Sequence, residues 1–93
     1  MHGSMVNFFV ETSVLNSPIH GLGRFTNDFI DKGRIVVTID GNIYKNENQS
    51  YVNHSIDNNL DYIGDNRWKS NRDIKIGEEL TMNYLQWVKE LPF

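Results

Sequence analysis

YVNHSIDNNL, residues 51–60, can be interpreted in two incompatible ways. Asn53-His54-Ser55 fits the N-x-S/T pattern of a glycosylation acceptor, and so does Asn48-Gln49-Ser50 just upstream. That interpretation predicts an exposed loop of a secreted protein. The other interpretation makes Asn53 and His54 a buried pair that holds a ligand. The rest of the chain has to decide between them.

The composition argues against a secreted protein. The chain has 93 residues, the size of one domain with a small core, and no cysteine that could form a disulfide or a thiolate zinc site. The three histidines do not have metal-ligand spacing either, so we expect no metal. No apolar run approaches the roughly 18 residues that cross a bilayer, and the first residues lack the basic-then-apolar pattern of a signal peptide. We expect a soluble intracellular protein, in which the acceptor motifs have no role.

The charge of the chain bears on its partners. The formal net charge is -3, and acidic and basic residues are interleaved along the sequence. No basic cluster could follow a phosphate backbone, so we expect neither nucleic acid nor a membrane as a direct partner. A mildly acidic surface suits a basic peptide better.

The secondary-structure signals are mainly those of β-strands. β-Branched and aromatic runs alternate with turn residues, and one hairpin turn is expected at residues 64–66. The predicted strands are residues 6–15, residues 34–40, the two arms of a hairpin at residues 58–69, and residues 79–82. Gly and Pro in residues 16–23 are expected to break regular structure. Only residues 84–91, YLQWVKEL, have helical spacing. These patterns predict a mainly β fold with a short terminal helix.

Three separated segments resemble the SET domain of protein lysine methyltransferases. They are SPIHGLGRFTNDFIDKGRIVVTIDG at residues 17–41, with a Gly-x-Gly loop and an I-x-x-G-x-x-I/V strand; YVNHSIDNNL, similar to N-H-S-C-x-P-N; and RDIKIGEELTMNY at residues 72–84, similar to R-D-I-x-x-G-E-E-L-T-x-x-Y. Each pattern alone is short. Their occurrence together and in this order is specific, and it favours the buried Asn53-His54 pair.

The resemblance implies a particular topology. It implies a β-clip-like fold of several small sheets, in which the C-terminal segment passes under a loop and makes a pseudoknot. True threading is rare in proteins, and here it would bring Asn53 and His54 beside Tyr84. We expect one minimal SET domain at residues 5–93, preceded by Met1-His2-Gly3-Ser4, which resembles a cloning remnant.

The resemblance also implies an activity, methyl transfer from S-adenosylmethionine to a lysine side chain. Tyr84 matches the catalytic tyrosine of the family, and Tyr51 would line the lysine channel. The expected cofactor contacts are His20, Gly21, Leu22, Gly23, Asn53, His54 and Trp87. The two glycines would let the backbone approach the cofactor, because a Cβ would block it. Trp87 would either stack on adenine or anchor the C-terminal tail.

The sequence departs from the family pattern beside two of its motifs. Ile56 and Asn58 replace the usual Cys and Pro after the N-H-S motif. Met82 and Asn83 replace the common Tyr-Asp pair before Tyr84, and the loss of an aromatic ring at Met82 would widen the channel.

A further departure concerns substrate recognition. Only the nine residues 42–50 lie where the family carries an insert that shapes its substrate groove. Two functions therefore stay open: an active methyltransferase that acts on a protein or peptide lysine, and a catalytically degenerate binding module that keeps the fold, with or without cofactor binding. A homo-oligomer is expected, because so short a chain leaves apolar surface poorly covered.

Overall fold

The computed structural model describes residues 5–40 and 50–88. The elements within those ranges are β1 (Met5–Phe8), β2 (Thr12–Asn16), β3 (Leu22–Thr26), β4 (Ile35–Asp40), β5 (Asn53–His54), β6 (Leu60–Tyr62), β7 (Arg67–Ser70), β8 (Thr81–Met82) and α1 (Tyr84–Val88). The predicted mainly β class with a short C-terminal helix is confirmed. Residues 1–4, 41–49 and 89–93, which include the predicted cloning remnant, most of the short insert and the predicted end of the helix, lie outside the described residues. No helix in the described ranges is long and apolar enough to cross a membrane.

The strands form two sheets. The larger has the order β1-β4-β7-β6-β8-β5, and the smaller consists of β2 and β3. All pairs are antiparallel except those of β8, which runs parallel to both β5 and β6. In these parallel pairs Asn53 lies opposite Thr81, and Met82 lies opposite both His54 and Leu60. The N-H-S segment is thereby held beside the end of the last motif, as the expected pseudoknot requires.

The prediction of one strand over residues 6–15 is wrong. β1 pairs with β4 in the large sheet, whereas β2 pairs with β3 in the small one. Between them the Phe9 amide donates to the Val36 carbonyl at 2.9 Å, and the Glu11 amide donates to the Asp28 carboxylate at 2.9 Å. These bonds to distant residues turn the chain from one sheet to the other, which a local propensity cannot reveal.

The expected break at the Gly-x-Gly segment is also only partly correct. β3 begins at Leu22, inside that segment, and Gly23 lies opposite Leu15 in the ladder with β2. Glycine weakens a strand when it is judged alone, but pairing with a neighbouring strand outweighs the low propensity. A glycine within a strand also marks a place where another group approaches the backbone closely.

The core contains residues of β4, β6, β7 and β8 and reaches the N-H-S segment. Its buried members are Val10, Ile30, Val36, Val37, Ile39, Val52, Leu60, Trp68, Ile74, Leu80 and Met82. Trp68, on β7, is fully buried between Tyr62, at 4.8 Å between ring centroids, and Trp87, at 5.2 Å. Burial of each large apolar side chain stabilises the fold by about 1.5–3 kcal/mol. Because Val52 and Met82 belong to this core, it fixes both segments that carry candidate site residues.

Candidate functional site

A cavity of about 250 Å³ opens where three segments far apart in sequence meet. Its lining consists of His20, Gly21, Leu22, Ser50, Tyr51, Val52, Asn53 and Tyr84. Six of the nine residues expected to contact cofactor or substrate are in that set. The side chains of Leu22, Tyr51 and Tyr84 stay 42–47% exposed, so large apolar groups remain in contact with water here.

Tyr84 begins α1 and is fixed from two sides. Its hydroxyl donates a hydrogen bond to the Val52 carbonyl at 2.7 Å, and its backbone amide donates to Nδ1 of His54 at 3.1 Å. The His54 and Tyr84 rings lie 5.1 Å apart. Burial raises the pKa of Tyr84 above its ordinary value, so the phenol stays protonated at neutral pH. The predicted buried Asn53-His54 pair is not found: Asn53 is half-buried and His54 is exposed, because its ring packs on Tyr84 at the surface. His54 supports Tyr84 and does not line the cavity.

Tyr51 occupies the cavity wall in a strained backbone conformation. Its φ of 56° lies in the left-handed region, which is uncommon for a bulky residue. Bonds on both sides hold it there: Nε of Arg24 donates to the Ser50 carbonyl at 2.7 Å, and the Val52 amide donates to Oγ of Ser50 at 3.2 Å. The surrounding structure therefore over-determines the conformation of Tyr51.

Arg24 is a site residue that the sequence analysis did not identify. Besides Ser50 it binds Oγ1 of Thr12 at 2.8 Å, and its guanidinium lies 4.2 Å from the centroid of the Phe8 ring and 6.0 Å from that of Tyr51. Burial lowers the pKa of Arg24, but an arginine remains charged in a protein. A half-buried cation thus joins the smaller sheet to the Tyr51 segment. No local pattern around Arg24 indicates this contact.

The side-chain amide of Asn53 connects several of the segments that form the cavity wall. Its Nδ2 lies 2.8 Å from Oε2 of Glu79, 3.1 Å from the His20 carbonyl, 3.2 Å from the Leu22 carbonyl and 3.1 Å from Oγ of Ser17. Two amide hydrogens are shared among these four acceptors. A ligand would meet Asn53 mainly through its main chain, because the amide nitrogen is already engaged within the fold.

The two glycines of the Gly-x-Gly loop have different surroundings. Gly21 has a φ of +48°, and no heavy atom lies within 4 Å of the position that a Cβ would take. Gly23 is buried and does not line the cavity. A Cβ there would overlap Oε2 of Glu79 and lie 2.9 Å from Cβ of Ser17. Gly21 is thus open towards the cavity, whereas Gly23 makes room for a side chain of the protein itself.

Trp87 lies behind the site. It packs edge-on against Trp68 and is not among the cavity-lining residues. Its indole nitrogen is buried, and no hydrogen-bond partner for it is found within residues 5–40 and 50–88. Trp87 thus packs α1 against the core, and the tail that it was expected to anchor lies outside the described residues. Met82 is only 1% exposed, belongs to the core and is not among the cavity-lining residues.

Comparison with protein families identifies the chain. The SET domain family matches residues 24–85, well over half of the 93-residue sequence. The chain therefore belongs to the SET domain family, whose members are generally protein lysine methyltransferases. Its fold is of the lysine methyltransferase type, and the matched range contains Asn53, His54 and Tyr84. The Gly-x-Gly loop lies just before that range. A comparison with curated proteins finds no match.

Proposed function

We propose that the protein is an S-adenosylmethionine-dependent methyltransferase that acts on a lysine side chain of a protein or peptide. One observation carries the proposal: the Tyr84 side chain, residues 20–22 and Asn53 line one cavity in a chain of the SET family. All three come from segments that resemble the functional motifs of that family. Tyr84 and Tyr51 are the proposed catalytic residues.

The residues around the cavity fit the cofactor. Gly21 leaves open space beside its backbone, and the same cavity is lined by its neighbours His20 and Leu22 and by Tyr51 and Asn53. Such a wall binds a ligand largely through backbone groups, which glycine leaves accessible. When bound, S-adenosylmethionine supplies a methyl group on a positively charged sulfonium. Gly23, His54 and Trp87 would act from behind the wall, by supporting the groups that line it.

The substrate lysine has to reach the methyl group as an uncharged amine. Free lysine has a pKa of about 10.4, and a poorly hydrated site beside a positive charge lowers that pKa. The Tyr84 hydroxyl uses its hydrogen for the Val52 carbonyl, so its oxygen can accept an N–H from the amine. That bond would turn the nitrogen lone pair away from Tyr84 and leave it free to attack. Alignment of this kind replaces a dedicated general base.

A binding module without turnover is the second candidate. One observation favours it: the two polar groups best placed to act, Nδ2 of Asn53 and the hydroxyl of Tyr84, are both already bonded within the fold. In that case the cavity would hold the cofactor, and the protein would dock a partner without chemistry.

Tyr84→Phe tests the proposal, because it removes only the hydroxyl. We expect transfer of labelled methyl groups to basic proteins to fall by about 100-fold or more, as when one transition-state hydrogen bond is lost. Cofactor affinity, measured by calorimetry, is expected to stay within about threefold, because the ring remains. Tyr62→Phe is the matched control: that hydroxyl accepts the Asn66 amide at 3.1 Å, away from the cavity lining.

The same measurements separate the two candidates. Cofactor binding without methyl transfer to any basic protein would favour the binding module. No heat of binding at millimolar cofactor would contradict both the enzyme and the cofactor site.

A further inference from the structure

The carboxylate of Glu79 lies behind the cavity wall and joins two of the segments that form it. Oγ of Ser17 donates to this carboxylate, at 2.9 Å from Oε1 and 2.8 Å from Oε2. Nδ2 of Asn53 lies 2.8 Å from Oε2. Ser17 starts the Gly-x-Gly loop and Asn53 belongs to β5, so one charge binds both segments although neither is near Glu79 in sequence.

Two relays run from Glu79 to the residues that line the cavity. In the first, Oγ of Ser17 donates to the carboxylate and accepts the Ile19 amide at 2.9 Å, which fixes the turn before His20. In the second, Nδ2 of Asn53 reaches both the carboxylate and the Leu22 carbonyl. Hydrogen bonds to a charged group are roughly twice as strong as neutral ones. The shape of this wall therefore depends on the Glu79 charge.

The surroundings of Gly23 point to the same group. A Cβ at this position would overlap Oε2 of Glu79 and lie 2.8 Å from its Cδ. The backbone of Gly23 is outside the left-handed region, so a side chain would not be strained by φ. Space for Glu79, and for Cβ of Ser17 at 2.9 Å, is what requires glycine here, and not backbone conformation.

We infer that Glu79 is a positioning residue for the cofactor. Its carboxylate holds residues 17–22 and Asn53 in the shape that binds S-adenosylmethionine. Residue 23 is glycine because a Cβ there would overlap the Glu79 carboxylate. The identity of the ligand rests on the proposed function. The contacts by which Glu79 fixes residues 17–22 do not depend on the proposed function, because they exist in the protein without a ligand.

Glu79→Gln tests the first half of the inference. The change keeps the shape of the side chain and removes its negative charge. It also places the NH₂ group of a glutamine amide next to the NH₂ group of Asn53, where neither can accept from the other. We expect calorimetry to show about tenfold weaker binding of S-adenosylmethionine at a temperature where the protein stays folded. The adjacent Glu78→Gln is the matched control, with affinity within about twofold, because Glu78 binds Lys75 and Arg72 away from the cavity.

Gly23→Ala and Glu79→Ala, alone and combined, test the second half. Gly23→Ala should lower the urea midpoint of unfolding strongly, because the new methyl meets the carboxylate. In the Glu79→Ala background, Gly23→Ala should shift the urea midpoint by about half as much or less. The shift that remains would come from the contact of the new methyl with Cβ of Ser17. Equal shifts in both backgrounds would overturn the reason given for Gly23.

Amide hydrogen exchange without ligand separates this inference from the proposed function. In Glu79→Gln we expect the Ile19 amide to exchange about tenfold faster, while core amides such as that of Val37 keep their rates. If the wild type binds no S-adenosylmethionine but Ile19 responds, the proposed cofactor is wrong and the hold of Glu79 on the loop stands. If the wild type binds and Glu79→Gln matches it in affinity and exchange, Glu79 is not the positioning residue.

Discussion

Within the described residues, two segments bring residues other than glycine into the left-handed region of backbone conformation, and they do so for different reasons. In the hairpin turn between β6 and β7, Gly64, Asp65 and Asn66 have φ values of 89°, 54° and 57°. Gly, Asp and Asn are the residue types that tolerate this region. Tyr51 has the same φ, 56°, with a large aromatic side chain that does not favour it.

The difference lies in what holds each segment. The turn is closed by near neighbours: the Arg67 amide donates to the Gly64 carbonyl at 3.1 Å, and the Asn66 amide donates to the Tyr62 hydroxyl at 3.1 Å. A further bond, from the Ile39 amide to the Asn66 carbonyl at 3.0 Å, joins it to β4. The Tyr51 segment is held by residues far along the chain: Arg24 on the Ser50 carbonyl and the Tyr84 hydroxyl on the Val52 carbonyl. The sequence obeys local rules at the turn and breaks them at the cavity wall. Strain that the rest of the fold has to support is a mark of functional positions.

The largest effect that this comparison predicts is that of Arg24→Met. The change keeps the apolar stem but leaves the Ser50 carbonyl without its donor and removes the charge over Phe8. We expect a loss of about 2–3 kcal/mol in the free energy of unfolding, measured with urea. In Arg67→Met, which removes an exposed ion pair to Asp65 at 3.6 Å, the loss should stay below about 0.5 kcal/mol. Equal losses would show that the two regions do not differ in how they are held.

The next largest effect is expected from two substitutions that exchange the residue types of the strained position and the turn. Tyr51→Asn places a residue that tolerates positive φ at the strained position, and it should raise the free energy of unfolding by about 0.5–1 kcal/mol. Asn66→Tyr places a bulky residue in the turn and should lower it by about 1 kcal/mol. Urea denaturation measures both. A loss above about 1 kcal/mol in Tyr51→Asn would mean that its contacts, including the one with Arg24, outweigh the strain.

The same contrast explains how much could be predicted from the sequence. The hairpin turn at residues 64–66 and the start of α1 were both predicted, because each has a local signal in the sequence. In the turn this signal is the Gly-Asp-Asn triplet, and at α1 it is Asn83, whose Oδ1 accepts the Leu85 amide at 3.0 Å. The division of residues 6–15 between two sheets depends on Val36 and Asp28, which local patterns do not contain. The strand at Leu22–Thr26 was missed for the same reason, because pairing with β2 overrides the glycine.

The candidate site follows the same rule. Motif resemblance indicated which segments would meet, and residues such as Asn53 and Tyr84 do line one cavity. It could not indicate which side of a segment faces the cavity, so Gly23 and Trp87 were expected there but lie behind it. Nor could it find Glu79 or Arg24, whose roles come from contacts with residues 12 or more positions away in the sequence.

Asp61 on β6 connects the two regions, and its effect is the smallest that we predict. Its Oδ1 accepts hydrogen bonds from Asn58 at 2.9 Å, Asn71 at 3.2 Å and Gln86 at 3.1 Å. Gln86 belongs to α1, the helix that Tyr84 begins, so Asp61 ties that helix to the strand before the hairpin turn. Burial raises the pKa of Asp61, but the three hydrogen bonds and nearby Lys69 outweigh it, and the net pKa lies below the ordinary value.

This direction fixes the sign of a pH dependence. A carboxyl whose pKa is lowered by folding stabilises the protein above its unfolded pKa of about 3.9, and that contribution disappears as the pH falls through the lower, folded value. Asp61→Asn should therefore be less stable than the wild type at pH 7, by less than about 1 kcal/mol because water screens the group, and the gap should narrow as the pH falls below about 3.9. Urea denaturation at pH 7 and through the acid range measures it. Asp65→Asn in the turn is the control at neutral pH, with an expected change below about 0.5 kcal/mol. A gap for Asp61→Asn that persists unchanged in acid would show that the carboxylate charge does not hold α1 to β6.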